Sequence, residues 1–170
     1  MAKARAPSSP TAAEGAFRAF IRTYGLLKRF MDPYFALHGV SSSQWGVLRT
    51  LVRAENEGLA GLRLTDLGER LLVRPPSVTG VVDRLLRLGL VTRTSSSADL
   101  RTKQVSLTDA GRQLVDGARP GHVERINAIL AVLSEKEQEQ LRAVLVKVGD
   151  HLETLTGDGN GVAAHRNTGI

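Results

Sequence analysis

"LTDLGERLLVRPPSVTGVVDRLLRLGL", residues 64–90, holds two short amphipathic segments separated by a proline pair. In the first, Leu67, Leu71 and Leu72 recur at helical spacing and read as inward-facing, with Thr65 as an N-cap candidate. "VRPP" interrupts the pattern. A second helix is predicted to begin near Pro76, because proline at the first helical position forfeits no hydrogen bond. Val78, Val81, Val82, Leu85 and Leu86 form its apolar face, and Gly89 ends it. Two short helices so close together predict a helix-turn-helix.

The next residues extend that reading. "LVTRT" (90–94) and "KQVSL" (103–107) alternate as strands do. The loop between them, "SADLRTK" (97–103), lacks the Asn-Gly or Asp-Gly of a minimal hairpin turn and carries Asp99, Arg101 and Lys103 instead. A helix-turn-helix followed by a charged hairpin is a winged helix-turn-helix. The expected fold class is therefore mainly α with a small β-wing.

On the N-terminal side, Phe17, Phe20, Ile21, Tyr24, Leu27, Phe30 and Met31 recur every three or four residues, predicting a helix from Ala12 to about His38. Pro33 is placed to kink it and Gly39 to stop it. "SSSQWGVLRTLVRA" (41–54) follows, with serines able to N-cap and Trp45, Leu48, Leu51 and Val52 on one face. Leu62–Leu64 is long enough only for a small bridge strand. Beyond the hairpin, Thr108 is an N-cap with Asp109 in the first turn. Pro120-Gly121 is expected to bend or interrupt that helix, which resumes at "HVERINAILAVL" (122–133). Ser134 and Glu137 form a capping box before a last helix with Leu141, Val144, Leu145, Val148 and Leu152 on one face.

The long helices at both ends exceed what a winged-helix core needs, and their apolar stripes require a partner. In a chain this short, a second copy is the expected one. The organisation read from these patterns is a tail at 1–11, a folded region at 12–156 and a flexible tail at 157–170. Within the folded region, 41–109 is the winged lobe, while 12–40 and 110–156 are dimerisation helices.

Composition narrows the function. The absence of cysteine rules out disulfides, thiolate metal sites and thiol redox sensing, and it suits a reducing cytoplasm. No stretch reaches 18 consecutive apolar residues, and the N-terminus has no apolar run after its cations, so neither a membrane span nor a secretory signal is expected. The net charge of +6 is unevenly placed. Residues 1–60 hold eight Lys/Arg against four Asp/Glu, and residues 61–103 repeat that ratio. Residues 104–156 hold six against eight. A basic first two-thirds points to a polyanionic partner, although a solvated surface in an arginine-rich proteome would look similar.

The chemistry concentrates in two places. The helix from Arg74 to Arg87 turns Ser77, Thr79, Gly80, Asp83, Arg84 and Arg87 away from its apolar face. Hydroxyls and cations at the free N-terminal end of a short helix suit a duplex major groove. In the hairpin, Arg101 can enter a minor groove, where potential is most negative. Asp99 cannot attract DNA by its own charge; held against the guanidinium, it can fix the direction of Arg101. A solvated charge pair of little energetic consequence would also explain both residues.

With these residues in place, the stretch from Leu64 to Val115 resembles the multiple-antibiotic-resistance regulator (MarR) family. The family pattern is matched by Pro76-Ser77-Val78-Thr79, Asp83-Arg84-Leu85, Gly89-Leu90-Val91, Arg93, Asp99-Leu100-Arg101 and Leu107-Thr108 with Gly111. "LSEKEQEQLRAVLVKV" (133–148) is similar to the family's final helix. The resemblance covers about residues 14 to 156. It implies a homodimeric winged-helix transcription regulator, expected to be a repressor on a pseudo-palindromic double-stranded DNA operator. Arg74, Pro76, Ser77, Thr79, Gly80, Arg84, Asp99, Arg101 and Lys103 are its expected DNA-binding set. Two positions depart from the pattern: Leu100 stands where the wing commonly has an arginine, and Gly80 where relatives often place a larger side chain. The resemblance further implies release by a small phenolic or carboxylate effector, with Tyr34, His38, Trp45, Arg49 and His122 as candidate pocket residues.

Enzyme chemistry is not expected. There is no Gly-rich phosphate loop, nucleophile elbow or Ser/His/Asp set. The four histidines, His38, His122, His151 and His165, show no metal-ligand spacing, so neither cofactor nor metal is expected. The competing class is a winged-helix protein-interaction module that does not bind specific DNA.

Overall fold

The computed structural model describes residues 11–72, 75–95 and 103–156. The elements are α1 (Ala12–Leu37), α2 (Ser42–Asn56), α3 (Leu64–Leu71), α4 (Pro75–Arg87), β1 (Val91–Ser95), β2 (Lys103–Leu107), α5 (Asp109–Leu130) and α6 (Glu135–Thr156). The chain divides between Val123 and Glu124 into two compact units.

In the first unit, α2 is the central helix. Ser41 caps it, accepting from the Gln44 N–H at 3.2 Å while Gln44 Oε1 accepts from the Ser41 N–H at 2.8 Å. Val47, Leu48 and Leu51 are fully buried, joined by Leu67 of α3, Val78, Val82 and Leu85 of α4, and Val105 of β2. These side chains form the apolar centre of the winged lobe, and their burial provides most of its stability.

The two strands pair antiparallel, with Val91 opposite Leu107, Arg93 opposite Val105 and Ser95 opposite Lys103. Leu62 adds a bridge to Val105, exchanging hydrogen bonds of 3.0 and 2.8 Å, so the short bridge expected there is present. The hairpin returns beside the end of α4. There Gly89, at φ +69°, takes the left-handed conformation that closes a helix. The Thr108 hydroxyl donates to the Gly89 carbonyl at 2.7 Å and accepts the Gly111 N–H at 3.1 Å, capping α5 as expected. Gly111 packs directly on the Leu90 carbonyl, where a Cβ would collide with backbone oxygen.

The structure corrects three local expectations. Helix α3 starts at Leu64, so Thr65 lies inside the first turn and is not its cap. Asp66 takes the role, accepting the Arg63 N–H at 3.3 Å and pairing with its guanidinium at 2.8 Å. Leu72 is not inward: it ends α3 in the left-handed conformation at φ 54°, which turns its side chain into solvent. Helix α4 begins at Pro75, close to the start expected near Pro76. Pro120 does not interrupt α5, which runs on through it although the ring removes an N–H that a helix interior would use. The Tyr34 hydroxyl donates to the Ala118 carbonyl of that segment and ties it to α1. Likewise α1 runs unbroken through Pro33.

In the second unit, Ser134 and Glu137 form the expected capping box, with Glu137 accepting the Ser134 N–H at 2.9 Å and the Ser134 hydroxyl at 2.7 Å. Leu141, Val144, Leu145, Val148 and Leu152 of α6 are all exposed in the single chain. In the first unit, Phe17, Phe20, Ile21, Tyr24, Leu27 and Phe30 of α1 are equally exposed.

Gly111→Ala is expected to destabilise the fold by about 1–3 kcal/mol, because backbone rather than a flexible side chain must yield. A lowered urea midpoint at unchanged denaturant slope is the expected readout.

Candidate functional site

Helix α4 packs through Val78, Val82 and Leu85, which leaves Ser77, Arg84 and Arg87 exposed on its other side. Thr79 and Gly80 are part-buried. A Cβ built on Gly80 meets nothing within 4 Å, so packing does not require glycine there. Glycine in a helix interior costs about 0.5–1 kcal/mol relative to alanine. A bare position on an otherwise decorated face lets another backbone come close. Arg84 makes no ion pair among the described residues.

Hairpin and helix are tied together. Arg93 Nη2 of β1 lies 2.7 Å from Asp83 Oδ1 of α4, a pair that the sequence reading did not anticipate. Lys103, the first residue of β2, is exposed opposite Ser95. Pro76 falls in the first turn of α4. Arg74, Asp99, Leu100 and Arg101 lie outside the described residues. The structure thus brings Ser77, Thr79, Gly80 and Arg84 onto one helix, directly followed by the strand pair that carries Lys103.

Three of the effector candidates, Tyr34, Trp45 and His122, gather around Phe35, which the sequence reading did not single out. Phe35 stacks on Trp45 with ring centroids 5.5 Å apart, and His122 approaches Trp45 at 5.2 Å and Phe35 at 6.0 Å. Tyr34 meets His38 edge-on at 4.8 Å. Tyr34 and Trp45 are buried core residues. Arg49 sits one turn beyond Trp45, part-buried. Its pKa is lowered first by burial and then by the charges of Arg53 and Arg119. Among the described residues no carboxylate pairs with it. A separate surface hollow of about 370 Å³ is lined by Asp32, Ala36, Gly39, Val40, Ser41 and Ser42, none of them a predicted pocket residue.

Known proteins show the same design. The MarR family profile matches residues 38–102. The chain is 31% identical over 139 residues to the HTH-type transcriptional regulator YkoM of Bacillus subtilis (strain 168), an alignment covering 82% of this chain and 87% of that protein. It is 29% identical over 145 residues to the HTH-type transcriptional repressor YetL of the same organism, covering 84% and 83%. Its fold is similar to that of Sco3205, a MarR family transcriptional regulator from Streptomyces coelicolor solved in complex with DNA. That match has a TM-score of 0.75 at 26% identity and covers 85% of this chain and 94% of that one.

Burial, and then the Arg49 guanidinium, hold the His122 imidazole below its ordinary value of 6.5. As the pH falls through 6.5, the unfolded chain takes up this proton before the folded one does. Stability present above 6.5 is therefore lost as the pH falls towards the folded-state value. His122→Gln is expected to flatten the fall in urea midpoint between about pH 7 and about pH 5.

Proposed function

The chain belongs to the MarR family of transcriptional regulators, and from that premise we propose that it is a homodimeric repressor of a pseudo-palindromic DNA operator. The observation that carries this reading is the exposed face of α4, with Ser77, Arg84 and Arg87 outward and Gly80 bare, followed directly by the charged hairpin. Ser77 and the first turn of α4 serve phosphates, Thr79 serves base edges, and Arg84 and Lys103 serve the flanking backbone. Arg74 and Pro76 belong to the same contact set. Asp99 orients Arg101 towards the minor groove.

The dimer reading rests on the exposed aromatic and aliphatic stripe of α1 and the aliphatic stripe of α6. Phe17 at 67% and Tyr24 at 56% exposure are costly to leave in water on a long helix. We assign residues 12–40 and 110–156 to dimerisation and 41–109 to the winged lobe. A dyad then sets the two copies of α4 about one DNA turn, roughly 34 Å, apart. Among the described residues no helix is long and apolar enough to cross a membrane. A cytoplasmic regulator fits that pattern and the lack of cysteine.

Effector control is part of the proposal. Arg49, lacking a carboxylate partner among the described residues, stands beside Arg53, Arg119 and His122 and next to the Phe35–Trp45 stack. Unneutralised cations beside aromatic rings suit a phenolic carboxylate, which would dock its acid on Arg49 and its ring on the aromatic cluster.

Duplex DNA from upstream of the protein's own coding region is expected to bind with affinity falling steeply as salt rises. Absent or salt-insensitive binding would instead favour the protein-interaction module. In the same assay Arg101→Ala should weaken binding by about tenfold or more while leaving the dimer and its melting temperature unchanged. A phenolic carboxylate should raise the melting temperature of the native protein and leave that of Arg49→Ala unmoved.

A further inference from the structure

Asp83 is the single acidic residue in α4, β1 and β2, the elements that carry the proposed DNA-facing residues. A carboxylate there opposes binding to a polyanion unless its charge is cancelled. Its partner is equally out of place. Arg93 shares a face of the hairpin with Val91, Val105 and Leu107, since directly paired residues point the same way and alternate residues repeat the face. Those three are buried. Arg93 therefore extends the core-facing side of the wing, where an apolar residue would be expected, and its guanidinium crosses to α4 to meet Asp83 at 2.7 Å. The Asp83 carbonyl also accepts from Nε of Arg87, one turn further along the helix, at 3.4 Å.

We infer that Asp83 is a specificity-determining residue. It sequesters Arg93 from the phosphates and ties the base of the wing to the recognition helix, so that both reading elements meet DNA in one fixed relation. This rests on the DNA-binding reading above and adds a role for two residues that need not touch DNA. An arginine left free beside the interface would add a phosphate contact, which strengthens binding to every sequence alike. Paired with Asp83, Arg93 adds rigidity without that indiscriminate attraction. Wrong sequences then gain nothing from it, and the ratio of operator to random binding rises.

The test is fluorescence anisotropy of the full-length protein on operator and on random duplex, each across a salt series, with Asp83→Asn, Arg93→Gln and the double variant. Asp83→Asn frees one cation per protomer. It is expected to tighten binding to random duplex, to steepen the log affinity against log salt slope by about 0.9 per protomer, and to lower the operator-to-random ratio. Arg93→Gln leaves the carboxylate bare and is expected to weaken binding to both duplexes. The double variant should return to the native salt slope while keeping the lowered ratio, because the tie is still missing. Melting temperatures should stay nearly unchanged throughout, since an exposed ion pair contributes little to stability. Native slope and ratio in Asp83→Asn would overturn the inference and leave the DNA reading intact. Failure of the native protein to bind either duplex would overturn both.

Discussion

Thr108 joins three elements, two of them through its single hydroxyl. It donates to the Gly89 carbonyl at the end of α4 and accepts the Gly111 N–H in the first turn of α5, while the Thr108 N–H binds the Leu90 carbonyl at 3.2 Å. The hairpin between Leu90 and Thr108 is thereby closed at its base. Neither the left-handed Gly89 nor the close approach of Gly111 to Leu90 tolerates an ordinary side chain. Everything the wing does in space follows from this junction, because a two-stranded hairpin alone has little stability of its own. The Leu62 bridge to Val105 and the Asp83–Arg93 pair then fix its sides.

A second set of charged contacts secures the supporting helices. Arg112 in the first turn of α5 holds Glu55 of α2 through two bonds, 2.7 and 3.1 Å, and Asp109 through a third at 2.8 Å. Arg70 of α3 holds Glu57, just beyond α2, in the same two-pronged way. Each pair is partly exposed and adds little to stability. Their use is geometric, since a forked guanidinium on a carboxylate restricts direction as well as distance. The helices α2, α3 and α5 that support α4 are thus braced at their ends, while the apolar faces of α1 and α6 remain exposed in the single chain.

Much of the fold was legible in the sequence. Strand runs, capping residues such as Ser41, Thr108 and Ser134, and terminal glycines are local signals, and the structure places them as read. The misread positions were those where a competing interaction or a chain reversal overrode the local pattern. Thr65 looked like a cap until Asp66 reached back to Arg63. Pro120 looked like a bend or a break, and α5 runs on through it; the partner that secures its segment, Tyr34, is 84 residues from Ala118 in sequence. Leu72 fitted the apolar spacing of α3, yet the reversal into α4 required a left-handed residue at that position. Of the candidate site, the outward residues of α4 were readable from helical period alone. The clustering of Tyr34, Trp45 and His122 around Phe35 was only guessed, since the four residues come from three helices.

By itself the sequence determined the winged helix-turn-helix, the outward face of its second helix and the demand of its terminal helices for a partner. Those properties depend on periodicity and on conformational limits within a few residues, which any stretch of chain expresses locally. Only the tertiary structure decided which charges are spent inside the molecule. Asp83 and Arg93 are ten residues apart and were read as separate positions of the matched pattern, not as partners. They become a pair because the closed base of the wing returns β1 alongside α4. Arg49 read as a candidate pocket cation, and its partial burial beside Arg53 and Arg119 is set by the fold. Coulombic energy depends on distance in space, and the fold alone sets those distances.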